Sequence, residues 1–235
     1  MTGAPQIPAS IDAAYRQGAV EDADGRERTL SPHSIGRADG EALRDLALAE
    51  NTSRTIEVGL ALGMSALFLC QAIAGREGAR HVAIDPFQQE SWGNAGLATL
   101  REAGVEDLVE VIEEESALAL PQLVRDGREF DFAFVDGDHR FEGVLLDLVF
   151  MTRLVKPGGL IVVDDMWMPS VRLAVSYVER NLDLELQPKA LPGGFSWSRR
   201  SRLGRGVPKG SGDVAVLRNP VGPPARPWDR FEAFF

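Results

Sequence analysis

The stretch FDFAFVDGDHRFEGV, residues 130–144, sets a strand, an acidic turn and the start of a helix end to end. From Phe130 to Val135 it is apolar except for Asp131, the pattern of a β-strand covered on both faces. Two carboxylates and an imidazole follow at once, as Asp136, Asp138 and His139. Apolar residues then return at another spacing, with Val144, Leu145, Leu148 and Val149 on one helical face. Titratable groups packed so densely at a strand end need solvent, a cation or a chemical role.

The same strand–helix unit recurs on either side. Upstream, Asp39 is a plausible N-cap for a helix that places Leu43, Leu46 and Ala47 on one face. TIEV (55–58) is a strand, followed by a helix from about Met64 to Ala74 that stops at Gly75. HVAID (81–85) precedes a helix around 94–103 that ends at Gly104, and LVEVIE (108–113) precedes a short helix near 117–126. Downstream, KPGG (156–159) breaks the helix after His139, and LIVVDD (160–165) is the next strand. Ser170 caps a helix in which Val171, Val175, Val178 and Leu182 recur, and LDLEL (182–186) and DVAVLR (213–218) give two late strands.

Nearly all-apolar strands alternating with helices imply an α/β fold: a Rossmann-like, doubly wound, mostly parallel seven-stranded sheet with helices on both faces and an antiparallel late strand. The expected division is an arm or lid over 1–38, a core domain over 39–220 with a basic loop at 196–210, and an aromatic tail over 221–235.

With 235 residues the chain can bury a full core without disulfides. Its one cysteine, Cys70, sits among Leu67, Phe68, Leu69 and Ile73 and reads as a core residue of a protein from a reducing compartment. A net charge of −10 disfavours nonspecific nucleic-acid binding. The first residues lack a basic region followed by an apolar one, and no run approaches the roughly 20 apolar residues of a membrane span. A soluble, cytoplasmic protein is expected.

In such sheets ligands bind beyond the carboxyl ends of the strands. EVGLALGMSA there offers Glu57, Gly59, Gly63 and Ser65, a turn that lets a ligand approach the backbone, although Ala61 stands where G-x-G-x-x-G would have glycine. Asp85, after the next strand, is placed to accept hydrogen bonds from a ribose. Glu115 and Ser116 are placed to reach an adenine edge; Ser116 serves equally well as a helix cap. Asp136, Asp164 and Asp165 end neighbouring strands, and three converging carboxylates repel unless one is protonated or a hard dication such as Mg²⁺ joins them.

These motifs resemble the class I S-adenosylmethionine (SAM)-dependent methyltransferases. More narrowly, they are similar to the metal-dependent small-molecule O-methyltransferases, of the catechol type and of the bacterial type acting on antibiotic sugars. EVGLALGMS resembles the first SAM motif, AIDPF the ribose-binding motif, VDGDH and VVDD the metal motifs, and LVKPGG the turn before the following strand. The resemblance implies Glu57, Gly59, Gly63, Ser65, Asp85, Glu115, Ser116 and Asp136 around the cofactor. It also implies Asp136, Asp164 and Asp165 around the metal, and His139 or Asp138 as general base. His139 is favoured, because an imidazole titrates near neutral pH. The catechol enzymes carry a Lys shortly after the first metal Asp, yet no Lys lies between Asp136 and Lys156. Asp165 stands where they often have Asn, and so fits the sugar-modifying branch better.

The implied activity is methyl transfer to a hydroxyl of a small polyhydroxylated or glycosidic metabolite. A metal-independent N- or O-methyltransferase and a catalytically silent SAM-binding protein are the alternatives. His33, the loop 86–94 with Trp92, and Trp167 are candidates for contacting the acceptor, with core packing an equal reading for both indoles. The aromatic tail should cover either the chain's own surface or a second copy, so a homo-oligomer is expected.

Overall fold

The computed structural model describes residues 6–198, 208–221 and 231–234. The described chain divides into two compact units, residues 1–116 and 117–235.

In the first unit, α1 (Ile7–Gln17) leads into a hairpin of β1 (Ala19–Glu21) and β2 (Glu27–Thr29), and then α2 (Arg37–Ala49). Pro8 presets the first turn of α1, and Gly18 ends it in the left-handed conformation. Ile7, Ile11 and Ala14 are buried, and α1 and α2 both pack on α3 (Met64–Ile73). α3 is apolar all round and correspondingly buried, Cys70 included. Between α2 and α3 runs β3 (Arg54–Val58); β4 (Arg80–Ile84), α4 (Ala95–Glu102) and β5 (Val109–Ile112) follow. The three strands pair in parallel in the order β5-β4-β3. α2 begins earlier than the sequence suggests: Gly36 is its cap, and Asp39 lies in its first turn, where a carboxylate favours the positive helix end.

In the second unit, α5 (Ser116–Arg125) precedes β6 (Phe130–Val135), α6 (Phe141–Leu154), β7 (Val155–Val163) and α7 (Pro169–Asn181). Then come β8 (Glu185–Leu186), the short antiparallel pair β9 (Ser196–Trp197) and β10 (Gly210–Ser211), and β11 (Ala215–Arg218). β6 pairs with β7 in parallel, while β11 is antiparallel to both β7 and β8. All seven strands β3–β8 and β11 belong to one mostly parallel sheet with helices around it, as the apolar runs imply. No described helix is long and apolar enough to cross a membrane.

Boundaries in the second unit also differ from the sequence reading. β7 starts at Val155, so KPGG lies inside the strand as a register irregularity instead of ending a helix before it. Pro157 has no N–H for the ladder, and Gly158 adopts φ +81°. Asn219 stitches the bend: its amide donates to the carbonyls of Thr152 and Val155, its N–H donates to Gly159 O, and its carbonyl accepts from Gly158 N–H. At α7 the cap is Met168 with Pro169 at the first position, which moves Ser170 into the first turn.

The tail docks on its own chain. Phe234 stacks on Phe141 (6.1 Å, 2°) and meets Tyr177 edge-on (5.1 Å). Ser176, Arg180 and Asn181 donate to the carbonyls of Phe234, Ala233 and Glu232. The cations of the basic loop other than Lys209 fall within residues 199–207, outside the described residues.

Candidate active site

Each unit gathers some of the residues singled out in the sequence. In the first, the turn after β3 holds three left-handed residues in alternation: Gly59 (φ +98°), Ala61 (+43°) and Gly63 (+82°). A left-handed alanine costs about 1–2 kcal/mol, so Ala61 must be held there. Asp85, just past β4, holds it: its Oδ2 accepts the Ala61 N–H at 2.7 Å and a Gln88 amide N–H at 2.9 Å, and its Oδ1 accepts the Phe87 N–H at 2.8 Å. Gln88 completes the clamp by donating to the Ala61 carbonyl at 2.8 Å. Asp85 and Gln88 are both buried. A Cβ on Gly63 would approach the Gly96 carbonyl to 3.1 Å, and one on Gly96 would come within 2.7 Å of the Ala61 carbonyl. The turn is thus seated directly on the start of α4.

Glu57 is fully buried beneath this turn. One of its oxygens meets His81 Nε2 at 3.1 Å, and the other accepts the Ser65 hydroxyl at 2.7 Å. Thr55 Oγ1 closes the chain of contacts on His81 Nδ1 at 2.7 Å. Buried polar groups need such partners, and these tie β3, β4 and α3 together under the glycines. Glu115 is exposed and Ser116 opens α5. His33 lies edge-on to Trp92, ring centroids 5.4 Å apart. The Trp92 loop is fixed by the N-terminal hairpin: buried Asp22 binds Arg28 at 2.9 Å, and Ala23 N–H donates to Gly93 O.

In the second unit the acidic turn after β6 meets the loop after β7. His139 Nε2 lies 3.6 Å from Asp136 Oδ1 and in direct contact with Asp165 Oδ2. One donor atom from each of Asp136, His139 and Asp165 falls within 4.8 Å of the others. Asp164, the third expected ligand, borders the same cleft and accepts the Asp165 N–H at 2.8 Å. The pair Asp136, foremost, and Asp165 pushes the His139 imidazolium up to about 10, while Asp165 is held below its usual range chiefly by His139. Without another cation the imidazolium is therefore the counter-ion of these carboxylates.

Asp138 is engaged otherwise. It accepts the Arg140 N–H at 3.1 Å at the entrance to α6, and its carboxylate fills the space beside Gly143. The main chain of His139 is fixed from α7, whose Ser170 hydroxyl donates to its carbonyl at 2.6 Å. Asp165 itself is left-handed (φ +55°), and the Trp167 indole N–H donates to its Oδ1 at 2.7 Å.

Sequence reasoning singled out neither Gln88 nor His81 as a site-building residue. A glutamine three positions after the key acid, and a lone imidazole in an otherwise apolar strand, were the available signals.

A glycine turn pinned by an acid from the adjacent strand, on a mostly parallel sheet, is the framework of a nucleoside-cofactor enzyme. Residues 56–166 match the family described as "Methyltransferase domain". The flavonoid 3',5'-methyltransferase of Vitis vinifera is 31% identical over 68% of this chain and 69% of its own length. The caffeoyl-CoA O-methyltransferase of Populus kitakamiensis is 35% identical over 58% of this chain. There the chain spans little more than half of the relative, 57% of its length. The solved O-methyltransferase TomG of Streptomyces achromogenes, in complex with SAM, superposes with a TM-score of 0.64 at 21% identity, covering 94% of this chain and 91% of that one. The chain belongs to the class I SAM-dependent O-methyltransferases, among relatives of the caffeoyl-CoA and flavonoid type.

Proposed function

We propose that this protein transfers the methyl group of SAM to a hydroxyl of a small acceptor carrying vicinal hydroxyls, with a divalent cation at the acidic cluster. The family supports the donor and the reaction. The convergence of Asp136, His139 and Asp165 within 4.8 Å carries the rest. The donor set fits a hard cation: two carboxylates at the cluster and a third, Asp164, beside it offer oxygen ligands, leaving room for water and acceptor oxygens. When bound there, Mg²⁺ would acidify and orient an acceptor hydroxyl.

The chain's own residues supply the remaining roles. The Gly59–Gly63 turn and Asp85 bind the nucleoside and methionine ends of SAM, with Glu57 and Ser65 bracing the turn from beneath. Glu115 and Ser116 lie toward the adenine. His139 accepts the acceptor's proton, which requires it to be neutral. A dication compensating Asp136 and Asp165 removes the charge that keeps the imidazole protonated, so metal loading and base strength are coupled at this cluster. Asp138, tied to the Arg140 N–H, is the less available base. Methyl transfer needs the acceptor oxygen in line with the S–CH₃ bond, and orientation by bound groups supplies much of the acceleration.

Its caffeoyl-CoA and flavonoid methyltransferase relatives are named for phenolic acceptors, and Trp167, 59% exposed, offers a face for a planar ring. A glycosidic diol shares the chelating chemistry and is the second arm of the test. Calorimetric titration with SAM, followed by assays of S-adenosylhomocysteine release from a catechol-bearing and a glycosidic diol, decides the matter. Saturable SAM binding and turnover that is lost with EDTA and restored by Mg²⁺ are expected. Turnover indifferent to chelation would leave a metal-independent enzyme, and binding without turnover of either acceptor a silent one. Exposed Phe231 extends the proposal to self-association, which sedimentation measures.

A further inference from the structure

Two features of the loop after β7 are unexplained by the residues assigned so far. Asp165 holds a left-handed backbone (φ +55°), a conformation that costs a non-glycine residue energy and that clusters at functional sites. Beside it, Trp167 leaves 59% of a large apolar side chain in solvent, where packing does not explain its position. One contact joins them: the indole Nε1–H donates to Asp165 Oδ1 at 2.7 Å, while Asp165 Oδ2 is the oxygen turned to His139.

The rest of the loop is fixed by its main chain. Asp164 N–H donates to Val135 O, Met166 N–H to Asp213 O and Met168 N–H to Asp165 O. Arg172 draws in the carbonyls of Met166 and Trp167 and reaches Pro208 O at 3.1 Å. The backbone is thereby anchored on both sides of Asp165, yet none of these bonds determines how its carboxylate is rotated. Two side chains do: His139 meets Oδ2, and the indole, by occupying Oδ1, keeps Oδ2 presented to the cluster.

We infer that Trp167 is a positioning residue for the cation site, acting through Asp165; this rests on the metal-dependent reading above. Groups that hydrogen-bond a ligating side chain commonly change metal affinity 10- to 100-fold when removed. Trp167→Phe retains an aromatic ring and deletes only the donor, and at so exposed a position it should leave the fold intact.

The experiment titrates Mn²⁺ into the full chain, followed by electron paramagnetic resonance, alongside a calorimetric SAM titration of the same samples. The expected result is Mn²⁺ binding weakened about tenfold or more in Trp167→Phe, with SAM affinity and melting temperature as in wild type. Trp167→Ala should weaken Mn²⁺ binding to the same degree, since it removes the same donor. Equal Mn²⁺ affinity in wild type and Trp167→Phe overturns the inference and leaves the metal reading standing. A wild-type chain that takes up no Mn²⁺ overturns both. Loss of SAM affinity in parallel with Mn²⁺ affinity would mark a general disturbance and also overturn the positioning role.

Discussion

Asp85→Asn tests whether the cofactor turn is held from outside itself. The substitution preserves shape and removes one acceptor. Asp85 serves two donors on Oδ2, from Ala61 and Gln88, and one on Oδ1, from Phe87. An asparagine turns its single oxygen to the two-donor side, leaving its NH₂ opposed to the Phe87 N–H. Orphaning that part-buried donor costs about 1–3 kcal/mol, and losing the charge on the two surviving bonds costs about 1 kcal/mol each. The sum, about 3–5 kcal/mol, is a large part of the roughly 5–15 kcal/mol that keeps a domain folded. For a chain of this size it lowers the melting temperature by about 6–20 °C. The left-handed Ala61 should respond in concert: Ala61→Gly relieves strain, and relieves less of it once the weakened clamp no longer enforces that backbone. A double-mutant cycle on thermal melts should therefore show coupling of at least about 0.5 kcal/mol. Calorimetry should show SAM affinity falling with Asp85→Asn alone. A variant melting within 2 °C of wild type, with SAM affinity unchanged, would refute the clamp.

The His139 contact makes stability depend on pH with a definite sign. The imidazolium is raised from 6.5 to about 10, so its contribution is complete below pH 6.5 and fades as pH rises toward 10. The gap in urea midpoint between wild type and His139→Ala should narrow across that window, remaining small because the ring is 40% exposed; a gap widening with pH would contradict the pairing. At the tail, Phe234→Ala removes the stack on Phe141 and the edge contact with Tyr177. Each such pair contributes about 0.5–1.5 kcal/mol, so a loss of about 1–3 kcal/mol is expected in chemical denaturation, and no change would show the tail to be a passive passenger.

The sheet was legible because its strands are unbroken apolar runs separated by glycines, a signal that needs no distant partner. β7 was misplaced at its start for the opposite reason. Pro157 and two glycines ordinarily end a structure, and what keeps them in a strand is Asn219, 64 residues from the Val155 carbonyl it binds. The caps at Asp39 and Ser170 were off by a few residues because extended Gly36 and a proline at the first helical position did the work. Residues 7–29 read only as part of an arm or lid, since α1 commits just three side chains to the core. In the site, Asp85 drew notice from its place after the strand that follows the glycines, though its hold on Ala61 did not. Gln88 could not be read, because its meaning lies in a carbonyl 27 residues away. The choice between Asp138 and His139 was open in the sequence, and the proposal of His139 leans on a main-chain N–H that takes up one oxygen of Asp138.

The stitch made by Asn219 bears on how the chain is assembled during synthesis. Its amide reaches carbonyls made 64 and 67 residues earlier, at Val155 and Thr152. At about 5–20 residues per second, a ribosome needs roughly 3–13 s to supply it. The 116-residue first unit, by contrast, has all of its internal partners already in hand by then. The nascent protein thus passes several seconds with Thr152 and Val155 made and the strand end that binds them not yet supplied, an interval in which a chaperone would find that bend exposed.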